Sequence, residues 1–325
     1  RLTATPGDRV HDARATRSTG VERPPRPQAA LLWHGPGDVG RHPDVRLPFT
    51  KMHGIGNDYV YVDAFAHRVA DPVRVAQVVS PRKTAIGSDG LILICPSDVA
   101  DCRMEMYNAD GSRGEMCGNG IRCVAKYAFE HGLAPKERMA IETDAGIKTV
   151  DLTVRAGTVE SVTVDMGEPI LDGPAIPVRA DGRVIEAPLK IDGTTHTVTC
   201  VSMGNPHVIL FVDDTATAPV HTLGPRIETD PFFPKRVNVE FIQLLEKAPA
   251  SRLRMRVWER GSGETSACGT GACAAAVAAA LTGRGQRRVE IELLGGNLQI
   301  EWRESDGHVL MTGPATEVFS GEIEV

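Results

Sequence analysis

The sequence predicts an α/β protein of two similar domains, each a curled sheet around one central helix. Three observations predict it. Short β-like runs bounded by Gly, Pro, Asn or Asp recur along the chain from Phe49 onward. Only two segments stand out as helices, and one of them carries no charged residue, so strands must wrap it on every side. Both helices open on the same four-residue pattern, Cys117-Gly118-Asn119-Gly120 and Cys268-Gly269-Thr270-Gly271, 151 positions apart (268 − 117) and so close to half the chain. That spacing points to an internal duplication, with the two helix N-termini facing across a cleft.

The elements follow in chain order. Residues 1–48 carry Arg-Pro clusters such as Arg23-Pro24-Pro25-Arg26-Pro27 and no sustained apolar period, and read as a disordered tail. The alternative of a transit peptide meets too many acids and too few serines. Strands are expected at Tyr59–Val62, Leu91–Ile94, Thr149–Val154, Ser161–Val164, Thr197–Val201, Val208–Val212, Val237–Ile242, Leu253–Trp258, Val289–Leu293, Leu298–Trp302 and Val309–Met311. The first helix follows Cys117 and places Ile121, Val124, Ala125, Ala128 and Phe129 on one face, with Gly132 as its stop. The second follows Cys268, runs through Ala272–Leu281 and ends before Gly283. The domains are expected at 49–161 plus 314–325, carrying Cys117, and at 162–313, carrying Cys268.

Composition narrows the function. The 325 residues are 42% hydrophobic and 24% charged, as in an ordinary globular chain. The longest apolar run, Ala272–Leu281, is about half of a bilayer span, so no membrane segment is expected. A net charge of −6 ill suits a protein that must neutralise phosphates, which argues against nucleic acid as a partner. Seven cysteines, an odd number without close pairing, suit free thiols in a reducing compartment, hence a cytoplasmic expectation with a plastid as the alternative if the extension is a transit peptide.

A cysteine at a helix N-terminus sits where free N–H groups and the helix dipole favour negative charge, so its pKa is expected to fall below the free value of about 8.5. The glycines beside it leave backbone N–H groups open to an anion, and a substrate carboxylate is the natural one. Two such thiols facing each other point to one thiolate that removes a proton from one side of a carbon and one thiol that returns it from the other, inverting a stereocentre. The Cys117/Cys123 and Cys268/Cys273 spacings do not fit a zinc site. Gly54-Ile55-Gly56 lacks the third glycine of a dinucleotide fingerprint, and neither cysteine motif has the Lys-Ser/Thr of a phosphate loop. Neither metal nor nucleotide cofactor is expected.

The segments Lys51–Tyr59, Tyr107–Ser112, Glu115–Cys123, Met203–His207, Val237–Phe241 and Trp258–Cys273, in this order, resemble those of the diaminopimelate epimerases. Tyr59 stands where that family more often has Phe, which keeps the ring. The resemblance implies a fold of two pseudo-symmetric α/β (α+β) domains, each a curled, mostly antiparallel sheet wrapped around a central helix. It also implies a homodimer and the epimerisation of LL- to meso-diaminopimelate without pyridoxal phosphate or metal, in lysine and peptidoglycan precursor biosynthesis. By the same resemblance Cys117 and Cys268 are the two catalytic bases, His207 supports the first thiol and Glu259 the second. Asn57, Asn108, Asn205, Asn238, Glu259 and Arg260 would bind the amino and carboxylate groups of the substrate. The backbone at Gly118, Asn119, Gly269 and Thr270 would hold the reacting carboxylate. Taken singly, Asn108 and Asn238 read as turn formers before they read as ligands. The rival readings are a sister two-thiol racemase of another amino acid, a thiol redox protein that pairs Cys117 with Cys268, and a binding module acting through its tail.

Overall fold

The computed structural model describes residues 46–325. The expected tail or targeting extension lies outside the described residues except at its end: a strand already begins at Arg46 and buries Leu47 beside Phe49 and Val60, so the folded body starts three residues earlier than expected.

Strand and helix order repeats. The first half runs β1 (Arg46–Gly54), β2 (Asn57–Asp63), α1 (Pro72–Val79), β3 (Gly90–Cys95), β4 (Cys102–Asn108), β5 (Arg113–Gly114), α2 (Gly118–Glu130), β6 (Arg138–Thr143), β7 (Gly146–Arg155) and β8 (Thr158–Asp165). The second runs β9 (Ala187–Ile191), β10 (Thr194–Ser202), β11 (Pro206–Phe211), α3 (Val220–Glu228), β12 (Asn238–Leu244), β13 (Ala250–Glu259), β14 (Gly263–Glu264), α4 (Gly269–Leu281), β15 (Gly285–Leu293), β16 (Gly296–Trp302) and β17 (Val309–Gly313), and β18 (Thr316–Glu324) returns to the first. Pairing repeats as well. β2 pairs with β3 in parallel and β4 with β6 in parallel, just as β11 pairs with β12 and β13 with β15; the remaining neighbours are antiparallel. β8 and β17 pair antiparallel, which joins the halves in one continuous sheet, and β18 pairs with β1. The boundary expected between residues 161 and 162 therefore falls inside β8.

The local sequence accounts for these elements. β8 turns Val159, Val162 and Val164 inward and Thr158, Glu160 and Thr163 outward, its two-residue period broken once, where the register with β7 shifts past Glu160. α2 begins at Cys117, whose backbone is extended and whose sulfur accepts from the Gly120 N–H at 3.3 Å. It ends before Gly132, whose φ of +73° is the left-handed conformation that closes a helix. α4 is buried along its length, from Gly269 to Ala279 with Thr270 as the exception, so the charge-free helix is enclosed as its composition requires. One apolar cluster surrounds both α2 and α4, and smaller clusters lie beneath α1 and α3.

Candidate active site

The N-termini of α2 and α4 converge on one methionine. A Cβ at Gly118 would lie 2.7 Å from Met311 Cε, and one at Gly269 would lie 3.0 Å from Met311 Sδ and 3.7 Å from Asn119 Oδ1. Glycine at both positions thus lets the two helix ends close on the same β17 side chain. The second glycine of each motif seats its helix on a strand. At Gly120 an added Cβ would meet Ile92 of β3 at 2.8 Å, and at Gly271 it would meet Glu240 of β12 at 2.8 Å and Cys268 Sγ at 3.2 Å.

Cys117 Sγ donates to Asn57 Oδ1 at 3.1 Å. Cys268 Sγ lies 3.6 Å from Thr270 Oγ1, and the neighbouring Glu259 carboxylate accepts from Thr265 Oγ1. His207 turns both ring nitrogens away from Cys117, Nδ1 to Glu240 Oε1 at 2.7 Å and Nε2 to Asn205 Oδ1 at 3.0 Å. Asn238 engages both ends of its amide, donating to Pro206 O at 2.9 Å and accepting from Arg260 N at 2.9 Å; it locks strands together rather than making a turn. Asn108 donates to Ser112 Oγ at 3.0 Å and closes the turn between β4 and β5. Arg260 is exposed and its Nη1 donates to Lys235 O.

The sequence model of the diaminopimelate epimerases matches residues 49–171 and 199–318. The chain belongs to the diaminopimelate epimerase family. It is 54% identical over 278 residues to the diaminopimelate epimerase of Moorella thermoacetica, covering 85% of this chain and 99% of that one. It is 52% identical over 280 residues to that of Acetivibrio thermocellus, covering 86% and 99%. Among solved structures, the fold resembles a phenazine biosynthesis protein of the PhzF family from Bacillus anthracis (TM-score 0.63, 18% identity, covering 86% of this chain and all of that one). It also resembles a hydroxyproline epimerase from Agrobacterium vitis (TM-score 0.61, 15% identity, covering 86% and 93%).

One expectation is overturned. Both motif thiols are raised above, not lowered below, the ordinary cysteine value. Burial is the larger effect at each. At Cys117 the N–H groups of Gly120 and Asn119 and the Arg122 guanidinium oppose it. At Cys268 the neighbouring Glu259 and Glu240 reinforce it, against weaker help from Thr270 and the Gly271 N–H. A helix N-terminus lowers a thiol pKa only where water still solvates the competing charge.

Sequence reasoning also missed three residues in this family member. Glu240 is fully buried against His207, its Oε2 without a partner among the described residues. Arg122, likewise fully buried, donates to Gly118 O at 3.1 Å and Pro314 O at 3.1 Å, which ties the first turn of α2 to the β17–β18 connection; its Nη2 has no partner. Asp89 accepts from Asn57 Nδ2 at 2.7 Å. Each sits in a pattern that reads as ordinary strand, helix or turn, and only its spatial neighbour reveals it.

Proposed function

We propose that this chain epimerises LL-2,6-diaminopimelate to the meso form with Cys117 and Cys268 as its two acid–base groups, within lysine and peptidoglycan precursor biosynthesis. The observation that carries the reading is the convergence of two thiol-bearing helix N-termini on Met311. One sulfur, as thiolate, takes the α-proton and becomes a thiol, while the opposite thiol gives its proton to the other face and becomes a thiolate. Glu259 stands beside Cys268 as the carboxylate that can take its proton, and burial raises that carboxyl above its ordinary value. Burial makes each thiolate costly to form and correspondingly a strong base, as a weakly acidic α-carbon demands. Charge developing toward the substrate carboxylate is met by fixed N–H groups at Gly118, Asn119, Gly269 and Thr270, donors that need no reorganisation during reaction.

Recognition of the two amino-acid heads is assigned to Asn57, Asn108, Asn205, Asn238, Glu259 and Arg260. The Arg260 guanidinium forks onto the distal carboxylate, and Asn238 acts by fixing the Arg260 backbone. A division into a Cys117 half and a Cys268 half that meet at β8 and β17, and a cytoplasmic or plastid location consistent with seven free cysteines, belong to the same reading. So does a homodimer, for which β18, with Val318 and Phe319 exposed on an edge strand, is the surface of choice.

The test is exchange at Cα. Purified protein in D₂O should incorporate deuterium at the reacting carbon of LL- and meso-diaminopimelate while interconverting them. Interconversion of neither isomer, with reversible Cys117–Cys268 oxidation instead, would replace this reading by a thiol redox function.

A further inference from the structure

Asn57 and Asn205 occupy equivalent places in the two halves, at the entry to β2 and to β11. Their amides are set in opposite senses. Asn57 gives its Nδ2 to Asp89 and turns its Oδ1 to the Cys117 thiol. Asn205 Oδ1 instead accepts from His207 Nε2 at 3.0 Å.

The sense at Asn57 is chemically forced. Asp89 Oδ2 also accepts from the Asp58 N–H at 3.0 Å, and Asp89 Oδ1 from Arg82 Nη2 at 2.7 Å. Facing a guanidinium and a backbone N–H, Asp89 is a carboxylate, and a carboxylate only accepts. The amide edge of Asn57 that meets it must be the NH₂. The carboxylate is itself held: Arg82 bridges Asp89 and Asp58, and Asp58 is paired with the buried Lys51 at 2.5 Å. We propose that Asp89 is a positioning residue that locks the Asn57 amide with its carbonyl oxygen toward Cys117, and that this acceptor holds Cys117 as the thiol. The proposal deepens the two-thiol reading and rests on it for its catalytic meaning.

A neutral amide oxygen receives a hydrogen bond from S–H and offers nothing to S⁻, so it favours the protonated sulfur; a reversed amide would donate to the thiolate and favour that instead. The other groups that face Cys117 are Arg122 and Cys123 from α2, Tyr59 and Tyr61 from β2 and Glu259 from β13. Of these only Tyr59 is coupled to the Asn57 side chain; the influence of the others is common to every variant below.

The experiment measures the pH dependence of Cys117 alkylation by iodoacetamide, read by peptide mapping, in the full-length protein without added amino acid. Asp89→Ala removes the acceptor of the Asn57 NH₂ and lets the Asn57 amide reverse. Its alkylation midpoint should fall by about one pH unit, a roughly tenfold faster reaction below the midpoint. In an Asn57→Ala background the same substitution should lose more than half of that shift, since there is no amide to turn. If Asp89→Ala does not fold, Asp89→Leu, which also removes the acceptor, is the variant used, with the same two measurements. A midpoint that does not move, or a shift of which half or more persists without Asn57, overturns the proposal; the second result would mean that the lost Asp89 charge acts through space. Because the readout is a thiol titration, it stands apart from whether diaminopimelate is turned over.

Discussion

Replacing Glu240 should separate two ways of holding its buried contact with His207. Oε1 lies 2.7 Å from His207 Nδ1, both side chains are fully buried, and Oε2 has no partner. Burial raises the carboxyl above its ordinary value of 4.5, against the pull of His207. The acid form fits: Glu240 donates its proton to Nδ1 and leaves no full charge on an orphaned oxygen. Glutamine reproduces that donor, so Glu240→Gln should cost no more than about 1.5 kcal/mol, the worth of one altered hydrogen bond. Glu240→Ala leaves Nδ1 unpaired beside a new cavity and should cost about 3–5 kcal/mol. With a urea slope of about 3 kcal/mol/M, the midpoints fall by about 0.5 M or less and by about 1–1.7 M.

The pH dependence has a definite sign. A carboxyl raised in the folded state contributes its stabilisation fully below pH 4.5 and loses it as pH rises through the folded value. Glutamine titrates nowhere in this range, so the advantage of the native protein over Glu240→Gln should be larger at pH 5 than at pH 8. Urea unfolding followed by tryptophan fluorescence at both pH values measures it. A Glu240→Gln protein as unstable as Glu240→Ala would refute the neutral pairing and show that a carboxylate–imidazolium pair holds the site.

Cys117→Ala and Cys268→Ala should each lower epimerisation by about 10²–10⁴-fold or more, because a proton taken on one face finds no donor on the other; a coupled assay of meso-diaminopimelate formation reads this, and near-native turnover in either would remove the two-base scheme. Arg260→Lys keeps the charge but loses the fork, and steady-state kinetics should show kcat/KM for diaminopimelate falling about 10–100-fold, the worth of one charge-assisted hydrogen bond. Alkylation should be slow at pH 7 and rise toward alkaline pH, since burial pushes Cys123 up to about 11 and Cys102 and Cys273 up to about 12. Cys117, where two N–H groups and Arg122 oppose burial, should label before Cys268, which two carboxylates face; peptide mapping that finds the reverse order would show that the helix ends are not distinguished in this way.

Much of the fold was legible because its signals are local. Every expected strand is present, since runs such as Leu91–Ile94 and Val208–Phe211 combine branched apolar residues with flanking turn formers. β4 was hidden because its inward residues are Cys102, Met104 and Met106, alternating with Arg103 and Glu105: the period is right but the residue types are not β-formers. α1 has eight residues rich in valine, and α3 contains Gly224 and Pro225, so neither carries a helical composition. β18 turns almost every residue to solvent and shows no inward period at all. In the site, the thiols were legible because a helix N-terminus is written in consecutive residues. Glu240 was not, because between Val239 and Phe241 a polar residue reads as the outward position of a strand. It takes the parallel register with β11 to reveal that this face carries His207. The thiol pKa was misjudged for the same reason: burial is a sum over distant segments, and no local pattern contains it.

The pairing of β18 with β1, Arg46 opposite Glu324, bears on how the chain is made. A ribosome delivers β18 only about 260 residues after β1, so one edge of the first strand stays open through all of that synthesis, tens of seconds at roughly 5–20 residues per second. β8 likewise waits for β17. The Cys117 half therefore completes its sheet only after the Cys268 half has emerged, and the nascent chain presents an unpaired edge to chaperones throughout. Losing Thr316–Glu324 strips the covering strand from β1, so a stop codon just before it should damage the half of the protein that was synthesised first.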